Sequence, residues 1–293
     1  MAQIAVIDVE TTGLNPHRHD RIVELAAVVL NPDGTLVREF VTLVNPDRDM
    51  GPTHIHGLTA RDTHTAPHFH EVAPAFIAAL TGCAAVAGHN IRFDLSFLEA
   101  EFGRMGCRLP DFPTLCTMQM AGGSLTSACA AWGITFDGAA HTALHDTRAT
   151  ARLLAALLRK DPDLAAWVRA LPPITWPTFA QQTAKLLTRE EARQQPAVTE
   201  VAATAQVGFG GKTVCFTGEG QCRVNGSRLT REMAADLAAR HGLTVTEAVT
   251  KKLDLLVAAD PFTQSGKAKK ARQYGIPVVH EAEFWKALGL KVR

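Results

Sequence analysis

Residues 3–9, QIAVIDV, form an apolar run whose only charge is Asp8; Glu10 follows two positions later, and Thr11-Thr12-Gly13 breaks the pattern. Side chains alternate faces along a β-strand, so Asp8 and Glu10 share one side of whatever sheet this strand joins. An edge strand could leave both carboxylates in water, but a run this apolar reads as a central strand. Two like charges at the end of a central strand need a counter-charge. The chain must therefore build a sheet that gathers compensating groups around one strand end.

The following runs supply that sheet. RIVELAAVVLN and TLVREFVTLVN read as two further strands joined by the turn Asn31-Pro32-Asp33-Gly34. After a loop rich in Pro, His and Thr (45–68), HEVAPAFIAAL has helical spacing and CAAVAG reads as a short buried strand. IRFDLSFLEAEFGRMG reads as an amphipathic helix, and TALHDTRATARLLAALLRK as a long helix ended by Asp161-Pro162. Strands one to three follow in hairpin-like succession, which predicts an α/β domain over 1–160 with a mixed sheet. From 161 to 207 the chain turns Pro-, Thr-, Ala- and Gln-rich, and a partly disordered linker is expected, with one short helix in TFAQQTAKLLTREEARQQ and with Trp167 and Trp176 folding back on the first domain. From 208 a second unit begins: strand GKTVCFTG, helix RLTREMAADLAARHG, strands TVTEAVT and DLLVAAD, helix SGKAKKARQYG, strand IPVVH and helix EAEFWKAL, a small sheet flanked by helices.

Composition narrows the function classes. The 293 residues, 46% hydrophobic and 20% charged, suit two globular domains and argue against a disordered, collagen-like or membrane chain. No apolar run approaches the roughly 18 residues of a bilayer span, and no basic segment precedes an apolar run at the N-terminus, so a cytoplasmic protein is expected. Six cysteines without a C-x-x-C pair are assigned no chemistry. The net charge of +1 hides an asymmetry. Residues 1–158 hold 10 Arg and no Lys against 16 acidic residues, while 159–293 hold 20 basic against 13 acidic residues. Ten of the twelve histidines lie in the acidic half, which invites a metal reading.

The partners of Asp8 and Glu10 are Asp94, near the start of one helix, and Asp146, in the first turn of the long helix. Four carboxylates from three elements suit Mg²⁺ or Mn²⁺, and two such ions about 4 Å apart activate a water and stabilise a leaving oxygen in phosphoryl chemistry. A general base is still needed. His141, just before the long helix, and His145, beside Asp146, are the two candidates.

DVETTGL (8–14), HNIRFDLSFL (89–98) and HTALHD (141–146) resemble the three motifs of the DnaQ-like, or DEDDh, exonuclease family, which includes the proofreading epsilon subunit of bacterial replicative polymerases. The resemblance covers roughly residues 1–160, with RIVELAAV and THIHGLT also in family style. It implies a ribonuclease-H-like fold and 3′→5′ hydrolysis of nucleic acid, one nucleotide at a time. Carried over, it implies that Asp8, Glu10 and Asp146 bind metal directly, that Asp94 supports a second ion, and that His141 is the base, leaving His145 as an exposed helix residue. Thr11, Thr12 and Leu14 are implied to hold the terminal nucleotide, the leucine by packing on its base. One departure is visible: where the family often has Asp-Thr, this chain has Cys116-Thr117.

The 208–293 unit resembles a BRCT domain, with Trp285 where that family has its core aromatic. Thr217 and Gly218 end a strand with a hydroxyl and an open N–H, Lys267 and Lys270 open a helix, and Arg231 lies in the preceding helix. Together they are expected to hold a phosphate, such as the 5′-phosphate of a DNA end or a phosphorylated replication or repair protein. This unit carries 14 basic against 8 acidic residues, which favours nucleic acid. The resulting expectation is a nucleoid-associated DNA 3′→5′ exonuclease of repair or replication, with the basic unit acting as a tether. The rival readings are an RNA-trimming exoribonuclease, a dedicated proofreading subunit, and a non-catalytic BRCT adaptor.

Overall fold

The structure is a computed structural model and describes residues 2–138, 141–179, 184–195, 211–218, 220 and 222–292. The chain divides into two compact units, the first comprising residues 1–46, 52–58 and 65–193, the second 47–51, 59–64 and 194–293.

In the first unit the three leading strands are β1 (Gln3–Thr11), β2 (Ile22–Leu30) and β3 (Leu36–Leu43). They pair antiparallel in succession. The β2–β3 turn is made by Gly34 at a φ of 90°, with Asp33 accepting the Thr35 N–H. Helix α1 (Phe69–Leu80) leads into β4 (Cys83–Gly88), which pairs parallel with β1. Helix α2 (Ile91–Arg104) precedes β5 (Thr114–Cys116), parallel to β4. The order β3-β2-β1-β4-β5 leaves β1 in the centre of a mixed five-stranded sheet, as its apolar sequence requires. β5 is too short and too polar at Thr114 to have been visible as a strand.

Alternation along β1 divides the core. Ala5, Ile7 and Val9 face α1 and α2, where Phe69, Phe76, Phe97 and Phe102 pack. Ile4 and Val6 face the long helix α3 (Ala143–Lys160), against Ala151, Leu154 and Leu158. Asp8 and Glu10 continue the second face, so the strand's own period aims both carboxylates at the side where α3 begins.

The described part of 161–207 carries helices and tertiary anchors. Asp161 ends α3 and also caps α4 (Pro162–Ala170), where Pro162 suits the first helical position. Ala165 and Val168 of α4 join the α3 face of the core. Trp176 folds back as expected, packing on Phe112 and donating its indole N–H to the Leu80 carbonyl, whereas Trp167 is 45% exposed. The helix expected across 178–195 shrinks to α5 (Arg189–Gln194) among the described residues. The reason is tertiary: Leu187 is extended along β3, accepting the Leu43 N–H at 2.6 Å and donating to Thr42 Oγ1 at 3.1 Å. Residues 180–183 and 196–207 of the expected linker, the former also within the expected helix, lie outside the described residues.

In the second unit β6 (Thr213–Thr217), α6 (Arg231–Arg240), β7 (Thr244–Val245), β8 (Leu255–Ala258), α7 (Gly266–Gln273), β9 (Val278–His280) and α8 (Glu281–Ala287) follow in order. The strands form a parallel sheet ordered β9-β8-β6-β7. Trp285 is buried in its core, stacked on Phe216 and edge-on to Phe284. The strand expected from TVTEAVT is only two residues long.

A Trp176→Ala variant should lower the unfolding free energy of the full chain by about 2 kcal/mol, since a half-buried indole and its hydrogen bond are lost. Urea unfolding followed by circular dichroism checks this; an unchanged midpoint would mean that the segment is a free linker.

Candidate active site

The three elements predicted to meet do so at the end of β1. Oxygens of Asp8, Glu10 and Asp146 lie within 4.8 Å of one another. Asp146 sits in the first turn of α3, its N–H donating to the Thr142 carbonyl at 3.0 Å. Asp94 is not in that trio. It is buried on the first turn of α2, where its Oδ1 accepts the Val9 N–H at 3.1 Å. That bond locks Asp94 to the strand between the two carboxylates of the trio.

This concentration of acid shows in the protonation behaviour. Burial, then the charges of Asp94, Glu10, Asp146 and Glu24, push Asp8 well above the usual carboxylate range. Burial and Glu24 raise Glu10 to about 8, and burial raises Asp94 to about 8 against the opposing Val9 N–H. Burial also raises Asp146, opposed by the His141 N–H and by His141, His145 and Arg189. Asp146 Oδ1 is buried and has no hydrogen-bond partner among the described residues. An orphaned carboxylate oxygen among carboxylates is what an oxygen-seeking divalent cation would satisfy, so the residues fit a metal of that class.

His141 is exposed at the head of α3, with a φ of 63°. A non-glycine residue in the left-handed region is strained, and here its N–H is held by Asp146 Oδ2 at 3.1 Å. His145 is half-buried and not exposed as expected: a β-carbon added at Gly138 would collide with its ring. Thr11 and Thr12 are buried, with Thr11 Oγ1 donating to the Gly13 carbonyl and Thr12 Oγ1 bonded to Asp20. A β-carbon at Gly13 would meet the Asp20 carboxylate at 2.4 Å, so the Asp20 side chain packs directly against the turn. Beyond this turn Leu14 stands 84% exposed. Thr117, beside the departure at Cys116, is fully buried and bonded to His89 Nδ1.

Two residues of the site escaped the sequence reading. Glu24 on β2 lies directly across from Glu10, buried at 1% exposure. Arg189 on α5 meets it with both oxygens, Nε at 2.8 Å and Nη2 at 2.7 Å. A glutamate in the middle of IVELAAVVL was the available signal, because a charge in so apolar a strand needs a partner.

In the second unit Thr217, Gly218, Arg231 and Lys267 gather around the end of β6. Thr217 Oγ1 is buried against Ser265 Oγ, Lys267 Nζ donates to the Phe216 carbonyl at 3.1 Å, and Arg231 donates to the Gly218 carbonyl at 3.4 Å. Lys270 is exposed and lies over the Tyr274 ring. Glu281, whose Oε1 accepts the Cys222 N–H, lines the same depression as Thr217 and Arg231.

A mixed α/β sheet with a metal-compatible carboxylate centre at the end of its central strand defines the class. The chain belongs to the Exonuclease family, whose model matches residues 5–154, and residues 209–288 match the BRCA1 C Terminus (BRCT) domain. It is 40% identical over 173 residues to a DNA polymerase III subunit epsilon-like protein of Rhodobacter capsulatus, covering 55% of this chain and 24% of that protein. It is 36% identical over 122 residues to the 3′-5′ exonuclease DinG of Bacillus subtilis, covering 41% of this chain and 13% of that protein. The chain thus spans a quarter or less of these relatives' lengths. Among solved structures, Exonuclease X in complex with 5′ overhanging duplex DNA matches at 28% identity and a TM-score of 0.44, over 56% of this chain and 95% of that one. No helix among the described residues is long and apolar enough to cross a membrane.

The raised carboxylates set a sign. A folded-state pKa above the unfolded one means that the metal-free fold holds protons which the unfolded chain releases, so this contribution to stability is present in acid and is lost as pH rises toward about 8. A divalent cation binding the ionised groups displaces those protons. The Mn²⁺-induced rise in melting temperature should therefore be larger near pH 8 than near pH 5.5. Thermal melts at the two pH values with and without Mn²⁺ check this, and an equal rise at both would contradict it.

Proposed function

We propose that the chain is a 3′→5′ exonuclease that hydrolyses the terminal phosphodiester of DNA, working with two divalent ions, Mg²⁺ or Mn²⁺. The observation that carries the reading is the orphaned Asp146 Oδ1 within the trio of Asp8, Glu10 and Asp146. Family membership and the relative named a 3′-5′ exonuclease support it.

Asp8, Glu10 and Asp146 would hold the ions, with Asp94 as a second-ion group. When bound, they supply positive charge against the phosphate and acidify the attacking water. His141 takes the proton of that water from its exposed place at the head of α3; the phosphorus–oxygen bond to the penultimate nucleotide breaks, releasing a nucleoside monophosphate and leaving a 3′-hydroxyl on the shortened strand. The strained backbone at His141, tied to Asp146, keeps the imidazole near the trio. Leu14 packs on the terminal base, for which its solvent exposure on a rigid turn is suited, and Thr11 and Thr12 shape that turn.

The BRCT unit brings DNA or a phosphorylated replication or repair protein, with Thr217, Gly218, Arg231 and Lys267 around the phosphate and Lys270 as a more distant charge. Its excess of basic residues favours DNA. The place of work is the nucleoid.

On 5′-labelled single-stranded DNA, recessed duplex and RNA of one sequence, the wild-type chain with Mg²⁺ or Mn²⁺ should give a ladder shrinking from the 3′ end. EDTA should abolish it, and Asp8→Ala should lower the rate by about 10³-fold or more. A folded wild type that cuts none of the three would remove the exonuclease reading. Deleting residues 208–293 should weaken apparent DNA affinity about tenfold or more and flatten its salt dependence, with turnover at saturating substrate within about twofold of the full chain. Steady-state kinetics at three salt concentrations check the tether, and unchanged affinity would exclude it.

A further inference from the structure

Arg189 lies 35 residues beyond the end of the Exonuclease match at residue 154, yet its guanidinium reaches the rim of the site through Glu24. Nε and Nη2 grip Glu24 at 2.8 and 2.7 Å, Nη1 donates to the His56 carbonyl at 2.6 Å, and Nη2 reaches the His141 carbonyl at 3.4 Å. Glu24 Oε2 also accepts the Ala143 N–H at 2.9 Å, in the first turn of α3. One side chain thus ties β2, the end of the short helix Thr53–His56, the strained residue His141 and, through Glu24, the helix start that carries Asp146.

Its position is prepared by its neighbours. Leu187 is buried and hydrogen-bonded along β3, and Thr188 caps the turn by donating N–H and Oγ1 to Glu191. The Arg189 side chain is 13% exposed and Glu24 1%. Without the guanidinium, Glu24 would stand as one more uncompensated carboxylate directly opposite Glu10. A planar fork can hold a carboxylate in two bonds and two carbonyls besides; an ammonium cannot span all of them.

We propose that Arg189 is a positioning residue of the nuclease reaction, neutralising Glu24 beside the carboxylate trio and fixing the backbone of His141, so that the working module of this chain runs to about residue 194. The proposal rests on the exonuclease reading above. It differs from a merely structural ion pair in asking for the fork and not for the charge alone.

The test uses the full chain as wild type, Arg189→Ala, Arg189→Lys and the control Arg193→Ala, an exposed residue on the same helix. Each is followed by circular dichroism and melting, by calorimetric titration with Mn²⁺, and by steady-state degradation of labelled single-stranded DNA. Arg189→Ala should lose about 10²-fold in kcat per folded molecule with KM within about threefold, with its Mn²⁺ affinity displaced from that of the wild type. Arg189→Lys should recover the fold and Mn²⁺ affinity to within about threefold of wild type while its kcat stays about tenfold down, because the His141 carbonyl is released. Arg193→Ala should match the wild type. A lysine variant with wild-type kcat, or an alanine variant that folds and retains wild-type kcat and Mn²⁺ affinity, would overturn the positioning role. So would losses that follow only the folded fraction. If the wild type itself leaves DNA intact, the exonuclease reading falls and the inference with it; an active wild type matched by its Arg189 variants removes the inference alone.

Discussion

Mutual repulsion among carboxylates at the end of β1 is the constraint on which the first unit depends. Asp8, Glu10, Asp94 and Asp146 converge there, and Glu24 adds a fifth charge from the neighbouring strand. Such a cluster survives only where the surrounding packing over-determines it. The central place of β1 provides this, with α1 and α2 against one face and α3 against the other. Each polar compensation then has an address: Val9 N–H for Asp94, His141 N–H for Asp146, Arg189 and Ala143 N–H for Glu24. Asp146 Oδ1 is left over. The fold neutralises the periphery of the cluster with its own groups and leaves the centre unneutralised, which is the pattern of a site prepared for cations.

The parts of this arrangement legible from residues alone were those governed by local periodicity. The alternation in QIAVIDVE put Asp8 and Glu10 on one face, and helical spacing placed Asp94 and Asp146 each in a first turn. Their convergence and the assignment of His141 over His145 came from the resemblance, because spacing cannot say which helix starts meet. Glu24 was visible as an anomaly but had no discoverable partner: Arg189 is 165 residues away and arrives by a fold-back that leaves no periodic signal.

The same reasoning explains why 161–195 read as a linker. Its proline content and lack of alternation are real, but isolated anchors fix it: Trp176 to Leu80, Leu187 to β3, Arg189 to Glu24. Each is a single side chain or a single residue of ladder. Composition reports whether a segment can fold by itself, and this segment needs only to dock on a sheet already formed.

Two local features lie next to the carboxylates in sequence, a non-glycine residue in left-handed backbone space and an exposed leucine. His141 occupies left-handed backbone space that glycine would adopt without strain, and Leu14 presents an isobutyl group to water on the turn where Asp20 packs against Gly13. Left-handed backbone at a non-glycine residue costs free energy and persists where the surroundings hold it, as the bonds to Asp146 and Arg189 hold His141 here. On the reading proposed above, the apolar group suits the face of a base, the imidazole suits a proton-bearing water, and the trio suits the phosphate.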